Sequence, residues 1–299
     1  MNNKLTPTVS IVIPTYNRAK LISRALKSII DQTFVNWEAI VVDSYSTDST
    51  DEILKNFKDP RIKYVKIQNL DGVIAKSRNL GIKMAKGEWI AFLDSDDWWT
   101  KDKLKVCLNN IDDKVDFIYH ELEIVDSKFK FLKRKNLSGR ELKKPILNNL
   151  LEGVIKDGNA IGQSSVVVRK KLLVKIGGIS EDKNLIASED FHTWLRIAKI
   201  TDNFKFLKKR LGFYLVHGAS VQNRDLSIPH KQAVVDFMNL FNSHQKLNLE
   251  VKLNYMSANY NISIKNHTKA KKKFLFVIKN GSFNYKIRSI IKIIIMIFK

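Results

Sequence analysis

The sequence predicts an α/β protein: a doubly wound, mostly parallel sheet flanked by helices, followed by a basic, helical C-terminal extension. Two observations carry this expectation. Short β-branched runs alternate with segments of helical period through the first hundred residues, the rhythm of parallel crossover units. Beyond about residue 229 that rhythm gives way to lysine-rich helical stretches. The chain has 299 residues, 44% of them hydrophobic, and only 12 glycines and 5 prolines, which suits one packed domain with an appended piece and excludes a disordered chain.

The elements follow in order. Val9-Ser10-Ile11-Val12-Ile13-Pro14 is a β-branched run stopped by proline, the pattern of a buried strand. Residues 20–30 place Leu21, Ile22, Ala25, Leu26, Ile29 and Ile30 at helical spacing. Residues 37–42 form a second strand, which breaks at Asp43-Ser44-Tyr45-Ser46-Thr47-Asp48, and Asp48 reads as the cap of the next helix. A third strand is expected over 62–67, a helix over 74–84 and a fourth strand over 89–93. Strands at 117–119 and 164–168 and a helix at 191–200 follow, with a lysine-rich surface excursion over 128–144. Helical stretches at 233–241 and 251–260 lead to Lys269-Ala270-Lys271-Lys272-Lys273 and a final apolar run over 287–299. That run is about 12 residues, short of the ~20 that span a bilayer. It reads either as an amphipathic helix lying in the membrane interface or as a terminal helix docked on the core.

Charge separates the two parts of the chain. The first 120 residues hold 18 basic and 16 acidic side chains, and the remaining 179 hold 34 and 14, for a total net charge of +22. Such asymmetry fits an anionic partner for the second half, or simply a solvated lysine-rich surface. The single cysteine, Cys107, excludes an internal disulfide and suits a reducing compartment or an inert buried position. No signal-type apolar stretch follows Met1-Asn2-Asn3-Lys4, so a cytoplasmic location is expected.

In such sheets ligands bind at the carboxyl ends of strands, where both acidic clusters fall. Leu93-Asp94-Ser95-Asp96-Asp97 sets three carboxylates directly after the fourth strand, oxygen ligands suited to Mg²⁺ or Mn²⁺ beside a phosphate. Asp43 closes the second strand and can accept from a base N–H or a ribose hydroxyl. Arg78 precedes the acidic strand by one helix and can pair with a phosphate. Ser188-Glu189-Asp190 opens a helix, where acidic residues complement the helix dipole or, alternatively, take a proton from an attacking hydroxyl. His217 can approach a metal or serve the structure.

Together Ile11-Val12-Ile13-Pro14-Thr15-Tyr16-Asn17-Arg18, Val41-Val42-Asp43-Ser44, Asn79-Leu80-Gly81, Phe92-Leu93-Asp94-Ser95-Asp96-Asp97 and Glu189-Asp190 resemble, in this order, the bacterial family-two glycosyltransferases of GT-A fold. The resemblance covers roughly residues 8–222. It implies a nucleotide-sugar donor, usually a UDP-sugar, and inversion at the anomeric carbon. It further implies a GT-A domain over 1–228, with a nucleotide-binding half at about 1–100 and an acceptor half at about 101–228, leaving 229–299 as a basic, membrane-associating region. Pro14, Thr15, Tyr16 and Arg18 would lie along the nucleotide, with Asp43 near the base or ribose and Asp94 and Ser95 on the ribose side. Asp96 would hold the metal with His217, Asp190 would be the catalytic base, and Glu189 would steer the acceptor. The chain departs from many relatives at Asp43-Ser44-Tyr45-Ser46, where they read Asp-Asp-Gly-Ser, and it lacks the Gln-x-x-Arg-Trp signature of processive synthases. Single-sugar transfer is therefore expected, onto a glycan or polyprenyl-pyrophosphate-linked acceptor, by an enzyme peripheral to the inner face of the membrane.

Two other readings compete. A nucleotidyltransferase would show a glycine-rich phosphate loop after the first strand, and Pro14-Thr15-Tyr16-Asn17-Arg18 has no glycine. A non-enzymatic anionic-polymer-binding protein would account for the net charge, but charge is weakest where the motifs cluster and no nucleic-acid signature is present, so a nucleic-acid partner is not expected.

Overall fold

The computed structural model describes residues 6–69, 71–128, 130, 139–156, 158–217 and 224–297. An eight-stranded sheet runs through it in the order β3-β2-β1-β4-β7-β6-β8-β5. Its first half is built from β1 (Val9–Thr15), β2 (Trp37–Asp43), β3 (Ile62–Lys66) and β4 (Trp89–Phe92), joined by α1 (Ile22–Ile30), α2 (Thr50–Asn56) and α3 (Ile74–Met84). Every pairing in that half is parallel, as the alternation predicts. The second half is mixed. β7 (Val167–Arg169) runs antiparallel to both β4 and β6 (Phe117–Asp126), while β8 (Phe204–Val216) is parallel to β6 and pairs antiparallel with β5 (Trp98–Trp99).

Because β1, β2 and β4 are buried on both faces, they read as continuous apolar runs rather than as alternating ones. Ile11 and Ile13 point into one layer, where α1, the Leu54 end of α2 and α4 (Lys103–Leu108) cover the sheet. Val12 points into the other, under α3, α5 (Ile146–Lys156), α6 (Lys170–Lys175) and α7 (Glu189–Ala198). Cys107 is buried in the first layer, and burial pushes its thiol up to about 11, so it is an inert core residue.

The C-terminal region consists of α8 (Ser227–Ala233), a short 3-10 segment at Val235–Leu240, then α9 (Ser243–Ser263), α10 (His267–Asn280) and α11 (Phe283–Ile297). Asn242 and Gln245 form a reciprocal capping box that starts α9. The composition break near 229 is not a break in packing, since Ala233, Val234, Phe237, Phe241 and Leu249 join the main core. A separate small core begins only later, around Ala258, Ala270 and Phe274. Against it α11 packs Ile293 and Met296, and its Ser289 is fully buried. The opposite face of α11 exposes Phe283, Ile287, Ile290, Ile291, Ile294 and Ile295. The tail is a terminal helix docked on this small core, and it docks with an apolar stripe outward. Among the described residues no helix is long and apolar enough to cross a membrane.

Candidate active site

The site lies along the carboxyl ends of β1, β2 and β4, closed from the far side by the start of α7 and the end of β8. The loops after β1 and β2 are laced together. Asn17, at φ 51°, accepts the Thr47 amide on Oδ1 at 2.8 Å, and Asp48 accepts from the Ala19 amide at 3.1 Å and the Thr50 amide at 3.0 Å. The N-cap of α2 is Ser49 rather than the expected Asp48, which stands one residue earlier, accepts the first helical amide and anchors the β1 loop. Pro14 and Thr15 are buried at the end of β1, whereas Tyr16 is half exposed and Arg18 partly so. Asp43 is fully buried, and its oxygens accept from the Ser46 amide (3.1 Å), the Ser46 hydroxyl (2.5 Å) and the Tyr64 hydroxyl (2.9 Å). In this state it shapes the β2 loop rather than presenting an open acceptor.

The three carboxylates after β4 have three different surroundings. Asp97 is buried, accepting from the Ser164 hydroxyl at 2.6 Å and from the Leu215 amide at 3.0 Å. That second bond ties the end of β8 to the acidic loop and delivers His217. The His217 imidazole donates through Nε2 to Asp96 at 2.9 Å, and the Arg18 guanidinium lies 3.7 Å from the same carboxylate. Burial alone would raise Asp96, but the His217 bond and the Arg18 charge outweigh it and hold the group below the usual carboxylate range. Asp94 accepts from Arg78 at 2.8 Å, and Ser95 is buried beside it.

Arg78 is the keystone between the two sides. It is 3% exposed, and its two terminal nitrogens reach Asp94 at 2.8 Å and Glu189 at 2.7 Å. The phosphate pairing expected of Arg78 is thus replaced by an internal bridge. Glu189 is likewise engaged, since its second oxygen accepts the Ala187 amide at 2.8 Å. Next to it Asp190 is partly exposed, one oxygen accepting the Phe191 amide at 2.6 Å and the other the Asn159 side-chain amide at 3.0 Å. Burial first, then the neighbouring Glu189 charge, pushes Asp190 up to about 7. Both sides act on one reporter: the Tyr214 phenol is raised by burial and then by Asp97, Asp96, Asp94 and Asp190 together. Acidic loop and α7 therefore face a common space.

Several functional neighbours carried no signal in the sequence. Asn159, Ser164 and Arg24 hold Asp190, Asp97 and the Asp96 carbonyl respectively, the last at 2.9 Å. Arg24 also stacks on Trp98 at 3.7 Å. Among the described residues no group of three or more His, Cys, Asp and Glu side chains converges on a point. The residues present fit a divalent cation in a different way: Asp96, held below the usual carboxylate range, and His217 would supply two protein ligands, leaving other positions for diphosphate oxygens and water. The Gly218-Ala219-Ser220 continuation of the His217 motif lies outside the described residues.

A parallel half-sheet with this acidic loop at the carboxyl end of β4, linked through Arg78 to the start of α7, is a nucleotide-binding architecture suited to group transfer. Residues 10–172 match the model of Glycosyl transferase family 2, and the chain belongs to that family. Over 194 residues, 64% of this chain and 70% of the relative, it is 32% identical to the Escherichia coli UDP-Glc:alpha-D-GlcNAc-diphosphoundecaprenol beta-1,3-glucosyltransferase WfgD. Other relatives are spanned over a smaller share, such as 40% of TuaG from Bacillus subtilis. The fold is similar to that of S. aureus TarS 1-349 in complex with UDP-GlcNAc, at TM-score 0.65 and 21% identity over 93% of this chain and 82% of that one. It is also similar to the mannosyltransferase PcManGT of Pyrobaculum calidifontis in complex with GDP-Man and Mn²⁺, at TM-score 0.62 and 19% identity over 98% and 81% of the two chains.

Proposed function

We propose that this glycosyltransferase moves a single sugar, with inversion, from a UDP-sugar to a hydroxyl of a glycan or polyprenyl-diphosphate-linked acceptor at the cytoplasmic face of the membrane. The observation that supports the reading is geometric: the buried Arg78 ties Asp94 of the acidic loop to Glu189 beside Asp190, so that Asp96, held below the usual carboxylate range, and Asp190, raised by burial, belong to one cleft. Pairs of carboxyl groups whose surroundings drive them apart mark opposite chemical roles.

In this reading Asp190 accepts the proton of the acceptor hydroxyl, whose oxygen attacks the anomeric carbon from the face opposite the diphosphate. Arg78 and Glu189 are positioning residues, fixing α7 relative to the acidic loop so that Asp190 meets the donor at a set angle. Tyr16, Arg18 and the β2 loop line the nucleotide, and Asp96 with His217 hold Mn²⁺ or Mg²⁺. When bound, the cation neutralises charge developing on the departing diphosphate. The diphosphoundecaprenol in the name of WfgD supports a lipid-linked acceptor. Residues 229–299 carry 13 basic and 2 acidic side chains, and the outward stripe of α11 runs at i, i+4, i+7, i+8 and i+11 from Phe283. That combination suits a helix lying in an anionic membrane interface.

The test is release of free nucleotide from a panel of UDP-, GDP- and dTDP-sugars with Mn²⁺, then with chelator. Metal-dependent release of UDP is expected. Release of sugar 1-phosphate instead, with the nucleotidyl group passed to an acceptor, would assign a nucleotidyltransferase.

A further inference from the structure

A second cavity opens at the seam between the catalytic sheet and the C-terminal helices. It measures about 660 Å³ and is walled by the turn before α7, by α8 and by the facing sides of α9 and α10. Four basic side chains line it, Lys183, Arg224, Lys269 and Lys273, against one carboxylate among the described residues, Asp225. Asp225 is occupied within the wall. It accepts from the Ser227 amide (3.0 Å) and hydroxyl (2.6 Å) and from the Ser257 hydroxyl (2.5 Å). Lys183 reaches Asp71 at 3.5 Å, but among the described residues Arg224, Lys269 and Lys273 have no carboxylate at salt-bridge distance. A concave site with this surplus of positive charge is built for a phosphate-bearing ligand.

Its position says which one. Ile186 lines the cavity and stands four residues before Asp190, no more than about 14 Å of extended chain. The Ser188 hydroxyl and His230 Nδ1, 3.2 Å apart, bind the start of α7 to α8, so the base and the cavity wall form one unit. On the other side, α10 carries α11 with its outward apolar stripe. The geometry points to this cavity as the seat of the acceptor's phosphate or diphosphate, with the acceptor sugar directed at Asp190 and any lipid directed along α11. The inference rests on the glycosyltransfer reading for its substrate, while the anion site itself is measured separately.

The measurement is calorimetric titration of inorganic pyrophosphate into the UDP-saturated full-length protein, wild type and Arg224→Gln/Lys273→Gln. Pyrophosphate should bind the wild type and bind the double variant about tenfold or more weakly, a loss of at least ~1.4 kcal/mol. UDP affinity and the thermal midpoint should be unchanged. Should the double variant misfold, Lys269→Glu on the exposed rim gives the same readout. Equal pyrophosphate affinity in wild type and variant, or none in either, overturns the proposal. So does a variant that loses phosphatidylglycerol vesicles while keeping pyrophosphate, which would assign the charges to lipid headgroups. Failure of UDP to bind the wild type would instead count against the donor reading, with pyrophosphate then titrated alone.

Discussion

Asp190 and Arg78 carry the account at the scale of single residues. Asp190 works as a base only when ionised, and burial delays ionisation from 3.8 to about 7. Transfer should therefore rise with pH through an apparent value near 7, and Asp190→Asn should lower kcat by roughly 10²–10⁴-fold with UDP affinity retained. The same shift has a consequence for folding. The unfolded chain ionises first, so this group withdraws stability as pH rises from about 4 to about 7, and the Asn variant should flatten that slope in thermal melts. Arg78 is buried with two carboxylates. Arg78→Met strands both, and a loss of about 3–5 kcal/mol in denaturant unfolding is expected. The acidic residues themselves were legible in the sequence because turns after apolar strands concentrate them. Their surroundings were not, because these depend on partners such as Leu215, 118 residues from Asp97.

Among the elements, α3 shows why Asn79-Leu80-Gly81 recurs as a motif. Gly81 faces β1 so closely that a Cβ would sit 2.5 Å from a Val12 methyl. Asn79 meanwhile holds the segment leading to α7, donating to the Ile179 carbonyl at 2.8 Å and accepting its amide at 2.9 Å. One short helix thus sets the distance between β1 and the segment that leads to α7. Gly81→Ala should overpack this contact and cost about 1–3 kcal/mol in urea unfolding. The parallel half of the sheet was readable because its strands are buried on both faces. β8 was not: Lys205, Lys208, Lys209 and Arg210 interrupt its apolar pattern, and only its long pairing with β6 makes it a strand. Likewise β5 is two residues long and exists through its pairing with β8.

For the whole molecule, charge is uneven: the first 120 residues are near neutral and the rest carry most of the +22. The seam cavity and α11 both lie in the basic part. In the proposed reading, membrane contact would belong to this assembly, since no helix among the described residues is long and apolar enough to span. Ile290→Asp/Ile294→Asp should abolish binding to phosphatidylglycerol vesicles in a flotation assay while leaving the thermal midpoint and the turnover of a soluble acceptor unchanged, because both side chains face outward. Loss of the fold would show that the stripe is covered by the protein itself. The composition change at 229 is not a break in packing, since Ala233, Val234, Phe237, Phe241 and Leu249 join the main core.

The most direct test of the central claim is anomalous diffraction from crystals grown with UDP and Mn²⁺. A manganese peak between Asp96, His217 and the diphosphate, with Asp190 across the cleft from it, is the expected result. Manganese bound elsewhere, or an Asp190 carboxyl turned away from the nucleotide, would contradict it.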